Sequence, residues 1–180
     1  MKALVVYESI FGNTRDIAEA IAEGLELSEL EVELAEVGHA PKPDDVDLLV
    51  VGGPIHAWSM TRPATRQGAR QEAAAAHIEP VSSGRGVREW LSELSASHRP
   101  AIAAAFDTAV QTRWFPTGSA ARGEEKALRH AGYRIVAGPE HFYVKDSHGP
   151  LVDGERERAR AWAVKLAEEL VEPVAVPAPS

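Results

Sequence analysis

Apolar positions along the chain fall into two alternating rhythms. Residues 3–7, 48–51 and 101–106 are short, unbroken apolar runs, the pattern of strands covered on both faces. Leu30-Glu31-Val32-Glu33-Leu34 instead alternates apolar with acidic, as an edge strand with one wet face does. Residues 133–136 and 142–144 are two shorter β-like pieces on either side of Gly138-Pro139, which predicts an interrupted fifth strand. Helical spacings lie between these runs. Ile17, Ile21 and Leu25 share one face of a helix beginning near Asn13, with Asp16 in its first turn. Val87, Leu91 and Leu94 mark a second, which His98-Arg99-Pro100 ends. A third covers 124–131 and stops at Gly132, and a fourth covers 154–171 with Ala159, Trp162, Leu166 and Leu170 on one stripe. This alternation predicts the α/β class, a parallel sheet with helices on both faces.

Two stretches stand outside the rhythm. Residues 54–84 read as a long connection punctuated by Pro63, Pro80 and Ser82-Ser83-Gly84, and such length inside a compact domain marks a binding loop or a flexible excursion. Residues 172–180 are proline-rich and are expected to be extended or disordered.

Composition narrows the chemistry. The chain has 180 residues and no cysteine, so disulfides, thiol nucleophiles, thiolate-bound zinc and iron–sulfur clusters are excluded. At this length one domain is expected. Lys plus Arg number 19 against 27 Asp plus Glu, a net charge of −8, which argues against a nucleic-acid partner. No apolar run approaches the roughly 18 residues of a membrane span. The N-terminal residues reach a charge at Glu8, too early for a signal peptide. A soluble, cytoplasmic protein is expected.

The sharpest local signal is Tyr7-Glu8-Ser9-Ile10-Phe11-Gly12-Asn13-Thr14, between the first strand and the first helix. Ser9 and Thr14 supply hydroxyls, Gly12 permits unusual backbone angles, and Asn13 is a candidate helix cap. Successive amides at such a turn, aimed along a helix N-terminus, form an anion site. No Lys occupies the loop and Arg15 is the nearby cation, so a phosphate would rest on amides, hydroxyls and the helix dipole. Neither G-x-x-x-x-G-K-[ST] nor G-x-G-x-x-G occurs, and the seven His show no H-E-x-x-H spacing. A phosphorylation receiver would need an acidic pair after the first strand and an Asp after the third. Glu8 stands alone, and Gly52-Gly53-Pro54 fills the second position. A low-molecular-weight phosphatase would need a cysteine.

Ser9-Ile10-Phe11-Gly12-Asn13-Thr14 after an apolar strand resembles the phosphate loop of the flavodoxins, which cradles the phosphate of FMN. The order of elements extends the resemblance over residues 2–171. It implies a doubly wound, five-stranded parallel sheet in the order 2-1-3-4-5, forming a single domain over 1–171. FMN is then the expected cofactor, at the carboxyl ends of the strands. The resemblance also implies which residues touch it. Ser9, Ile10, Phe11, Gly12, Asn13 and Thr14 would hold the phosphate. Pro54, Ile55, His56, Ala57 and Trp58 would line the ring after the third strand, with Trp58 stacked on it. Phe106-Asp107-Thr108-Ala109, read as the loop after the fourth strand, would lie on its other side, with Asp107 and Thr108 at the pyrimidine edge. Trp90 and Trp162 read as core, and Trp114 as either a second shield or an interface residue. No catalytic side chain and no metal is implied.

The sequence departs from the family in two places. Flavodoxins place a glycine in the loop after the third strand, where a peptide flips to meet the reduced flavin; here none follows Pro54 until Gly68. Flavodoxins also surround the flavin with acid, whereas Arg62, Arg66 and Arg70 follow Trp58 before Glu72. That stretch reads either as a solvated arginine face or as a dock for an acidic partner or a nicotinamide cofactor's phosphates. The leading functional expectation is an FMN-binding electron carrier between a reductase and an acceptor, its partners being redox proteins. The alternatives are an FMN-dependent NAD(P)H:quinone-type oxidoreductase and a flavin-free partner-binding module. Oligomeric state is open, with a monomer favoured.

Overall fold

The computed structural model describes residues 1–94, 102–112 and 118–171. His98-Arg99-Pro100, Trp114 and the 172–180 tail lie outside the described residues. The elements in order are β1 (Lys2–Tyr7), α1 (Asn13–Leu27), β2 (Glu31–Glu36), β3 (Leu48–Pro54), α2 (Pro63–Ala75) and α3 (Val87–Ser92). They continue with β4 (Ile102–Val110), α4 (Ala120–His130), β5 (Arg134–Ile135), β6 (Glu140–Val144) and α5 (Glu155–Val171).

All strands pair in parallel in the order β2-β1-β3-β4-β5, and β6 also pairs β4. β5 meets the start of β4 (Ile102↔Arg134) and β6 its far end (Val110↔Val144). The fifth strand is therefore interrupted, as the Gly138-Pro139 break predicts. The 2-1-3-4-5 order follows from β1 pairing β2 on one side and β3 on the other.

Strand alternation builds a core on each face. Ala3, Val5 and Tyr7 pack with Ile17, Ile21 and Leu25 of α1 and with Ala159, Ala163 and Leu166 of α5. Leu4 and Val6 join Leu49, Val51, Trp90, Leu91 and Leu128 on the opposite face. Trp90 is buried in that second core, and Trp162 packs edge-on to Phe106 and Phe142 at centroid distances of 6.4 and 6.1 Å. Both tryptophans are structural, as the helical stripes imply. Gly52 is obligatory for the inter-strand fit: a Cβ there would sit 2.2 Å from Phe106 ring atoms.

Two expectations need correction. The 54–84 stretch is not one long loop, because α2 occupies 13 of its residues. Its buried positions are Arg66, Ala69 and Ala73, so an arginine and two alanines carry the inward face and no apolar stripe shows in the sequence. Pro63, read as a turn, stands at the first position of the helix, where the missing N–H costs nothing. The second correction concerns 106–109, expected as a loop after the fourth strand. These residues continue β4 to Val110, so consecutive side chains there point to opposite faces. No described helix is long and apolar enough to cross a membrane.

Candidate functional site

The chain reverses its winding between β1 and β3, and a cleft of about 260 Å³ opens where the carboxyl ends of β1, β3 and β4 converge. Such switch points are where open α/β sheets bind ligands. One wall comes from the loop after β1. Ser9 donates its amide to Ser82 Oγ (2.9 Å), and Ser82 returns its amide to the Ser9 carbonyl (2.7 Å). Gly12 donates its amide to Ser9 Oγ at 3.1 Å, which closes the turn. Gly12 is the N-cap of α1 with φ 94°, and no side chain caps the helix. Asn13, the candidate cap, is instead the first helical residue and lines the cleft beside Thr14. The uncapped first turn leaves amide donors and the positive end of the helix dipole facing the cavity.

Ser9, Ile10, Phe11, Asn13 and Thr14 line the cleft from this loop, while Pro54, Ile55, His56 and Ala57 line it from the end of β3. Thr108 joins them from β4, and its hydroxyl lies 2.8 Å from that of Thr14. Ile55 also donates its amide to the Thr108 carbonyl (3.0 Å), so the β1, β3 and β4 segments are tied together at the base. Among the described residues no Lys or Arg lines the cavity, and its one carboxylate is Glu72. Arg15 is not part of the cavity wall; it pairs with Asp16 and Glu19, and its Nη2 lies 3.5 Å from where a Gly12 Cβ would stand. Burial lowers the pKa of His56 and holds the ring neutral.

Four of the expected contact residues do not line the cleft. Gly12 caps the helix behind it. Phe106 lies at 0% exposure in the α1/α5 core, stacked edge-on to Phe142 at 6.1 Å. Asp107, equally buried, faces the other side of the sheet; there it meets His141 Nδ1 (2.7 Å), Ser119 Oγ (3.0 Å) and the Ala121 amide (2.9 Å). Trp58 is 63% exposed and outside the cavity wall. It sits at the tip of a tight hairpin, where His56 and Ser59 exchange backbone hydrogen bonds of 2.9 and 3.2 Å. Ala57 (φ 47°) and Trp58 (φ 71°) are both left-handed, the geometry that favours Asn-Gly in such turns. Non-glycine residues held this way store strain of order 1 kcal/mol each, which functional loops tolerate when their surroundings fix them.

A buried polar network supports the hairpin from behind. Thr61 donates to Glu8 Oε1 and Oε2 (2.7 and 2.8 Å), Val87 donates its amide to Glu8 Oε2 (2.9 Å), and Arg66 Nη1 donates to Thr61 Oγ1 (3.0 Å). Arg66 also pairs with Glu89 at 2.8 Å. Arg66 is thus buried and internal, not part of a solvated arginine face. Burial raises the Glu8 pKa, opposed by the Thr61 and Val87 hydrogen bonds.

Residues 4–72 match the family model described as Flavodoxin domain. A flavodoxin from the domain Archaea superposes with a TM-score of 0.64 at 21% identity, covering 96% of this chain and all of its own. Flavodoxin 1 from Bacillus cereus gives 0.65 at 15% identity, with 93% and 98% covered. The chain has the flavodoxin fold. Rubredoxin oxygen:oxidoreductase from Desulfovibrio gigas also aligns, with a TM-score of 0.59 at 18% identity over 97% of this chain, but only 37% of that longer protein takes part. No match is found among well-characterised protein sequences.

Within this flavodoxin fold the cleft gains residues that no local pattern announces. Glu72 enters from α2, Val110 from the end of β4, Val144 from β6, and Ser147 from the loop after it. Glu72 accepts from His148 Nε2 at 2.8 Å, and the His148 ring packs on Phe11 at a centroid distance of 4.6 Å. These contacts join segments more than seventy residues apart in sequence, so only the sheet order brings them together. Ser82, which pins the Ser9 loop, belongs to a Ser-Ser-Gly stretch that reads as an ordinary turn.

Proposed function

We propose that this protein binds FMN and carries electrons between a reductase and an acceptor. The supporting observation is the uncapped α1 N-terminus, flanked by the Ser9 and Thr14 hydroxyls, opening on the cleft at the switch point. That donor set suits a phosphate monoester without a counter-cation. Ser9, Ile10, Phe11, Asn13 and Thr14 would hold the phosphate end. Pro54, Ile55, His56, Ala57 and Thr108 would line the ring, opposite an apolar wall that includes Val110 and Val144. When bound, FMN supplies the electron exchange. The chain orients the ring, excludes water from one side and keeps the His56 imidazole neutral beside it.

The reductase reading rests on the missing glycine after Pro54 and on Arg62, Arg66 and Arg70 receiving a nicotinamide cofactor's phosphates. Arg66 is committed to Thr61 and Glu89, and Arg70 donates to the Ser83 carbonyl (2.9 Å), which leaves Arg62 of the three for that role. NADPH oxidation by the FMN-loaded protein with a quinone acceptor separates the two. A carrier oxidises NADPH only when a separate reductase is added; turnover by the isolated protein would favour the enzyme.

A further inference from the structure

The 56–59 hairpin and the start of α4 form one continuous lip. Ser119 donates its amide to the Trp58 carbonyl at 3.2 Å. Gly118 (φ 75°) permits the approach, since a Cβ there would lie 2.1 Å from that same oxygen. One turn further on, Gly123 faces the Met60 side chain. Two exposed arginines stand close to Trp58 along this lip: Arg62, four residues on at the N-cap of α2, and Arg122, in the first turn of α4, whose amide donates to Ser119 Oγ at 3.0 Å. Neither shows an ion pair among the described residues. A third, half-buried Arg88, braces the segment from Trp58 to Arg62 by donating to the Thr61 and Met60 carbonyls (2.9 and 3.0 Å).

The acids of this region do not cancel these cations. Glu8 and Glu124 are buried, and burial pushes both carboxyls toward the neutral form. Asp107 is buried against His141, Glu89 is paired with Arg66, and Glu125, three residues from Arg122 on α4, is buried and paired with Arg129. The lip is thus locally cationic in a chain of net charge −8, and it carries an indole that is 63% exposed. Exposed Trp and Arg together are the residue types that protein interfaces concentrate at their centres.

We propose that this Trp58–Arg62–Arg122 lip is the docking face for an acidic redox protein. The proposal rests on the flavin reading, because the lip adjoins the hairpin that would line the ring. Docking there brings an acceptor against the cleft edge, and its acidic surface is steered by the local field despite the net charge.

Two measurements test it. In the flavin-free Trp114→Phe protein, iodide and caesium quenching of tryptophan emission reads the charge around the exposed indole. Iodide should quench several-fold better than caesium at low salt, and Arg62→Glu with Arg122→Glu should reverse that order. The second uses FMN-loaded, dithionite-reduced protein, with an acidic blue-copper protein and the basic cytochrome c as one-electron acceptors. Each copper or haem takes one electron from the reduced flavin. The acidic acceptor should react more slowly as ionic strength rises. The double variant, with unchanged melting temperature and flavin affinity, should slow it at least tenfold and speed cytochrome c. Better quenching by caesium, or a double variant that leaves the acidic acceptor's rate unchanged, would overturn the proposal. A chain that takes up no FMN would instead overturn the functional reading, and iodide and caesium would still report the lip.

Discussion

Glu124→Gln isolates one buried charge and its consequence. Glu124 is fully buried on α4, and both its carboxyl oxygens lack a hydrogen-bond partner among the described residues. The charges that act on it are Asp107 and Glu8, and Oε1 lies 3.1 Å from where a Gly53 Cβ would stand. Burial first, then repulsion from Asp107 and Glu8, raises its pKa well above the ordinary carboxylate range. In the unfolded chain the same group ionises normally. The folded form therefore binds an extra proton between the two pKa values, and stability falls as pH rises through that window. Gln has nearly the same shape and never ionises. Relative to wild type it should gain about 1.4 kcal/mol for each pH unit across the window. Below the ordinary carboxylate range both side chains are neutral, and the two proteins should differ by only about 1 kcal/mol. Urea denaturation of the flavin-free proteins in half-unit steps from pH 4 to 8 reads this directly, with m-values expected to match. A stability difference that stays constant with pH would refute the neutral buried acid. The same acid lies under the point where β3 enters the site, and its neutrality spares the cleft a charge.

Other consequences follow from the same geometry. Thr14→Val removes a hydroxyl from the cleft and from its 2.8 Å contact with Thr108; FMN affinity should fall about tenfold or more, read by flavin fluorescence titration. Arg66→Ala removes the buried guanidinium that donates to Thr61 and pairs with half-buried Glu89 and should cost about 1.5–3 kcal/mol, whereas exposed Arg62→Ala should change urea stability by less than about 0.5 kcal/mol. The hydrogen bond to Asp107 raises the pKa of His141, so its stabilisation is full below the ordinary histidine range and is lost as pH rises through the folded value. His141→Gln should accordingly lower the melting temperature more at pH 5.5 than at pH 9; an equal drop at both would contradict the ion pair.

The sheet was legible because its evidence is periodic. Uninterrupted apolar runs placed β1, β3 and the start of β4, and the Gly138-Pro139 break split the last strand. Ser9–Thr14 stood out because an anion turn needs small, polar and glycine residues in consecutive positions. What stayed hidden depended on contacts across the sheet. α2 escaped because Arg66 occupies an inward position that only Thr61 and Glu89 make tolerable. Asp107 and Thr108 looked like loop residues because polar pairs rarely sit in a central strand; Asp107 is satisfied there by His141 and the start of α4, and Thr108 by Thr14. Position in the sequence puts Phe106 and Trp58 beside the ring. Strand alternation turns Phe106 into the core, and the left-handed hairpin turns Trp58 outward. Glu72 and Ser147 join the cleft from elements with no motif of their own.

The central claim is that the Ser9–Thr14 loop holds the phosphate of a flavin mononucleotide. Parallel fluorescence titrations of the flavin-free protein with FMN and with riboflavin, which has the same ring and lacks the phosphate, test it most directly. FMN should bind one to one with its emission quenched, and riboflavin should bind at least a hundredfold more weakly. Equal affinity for the two, or no binding of either, would contradict the account.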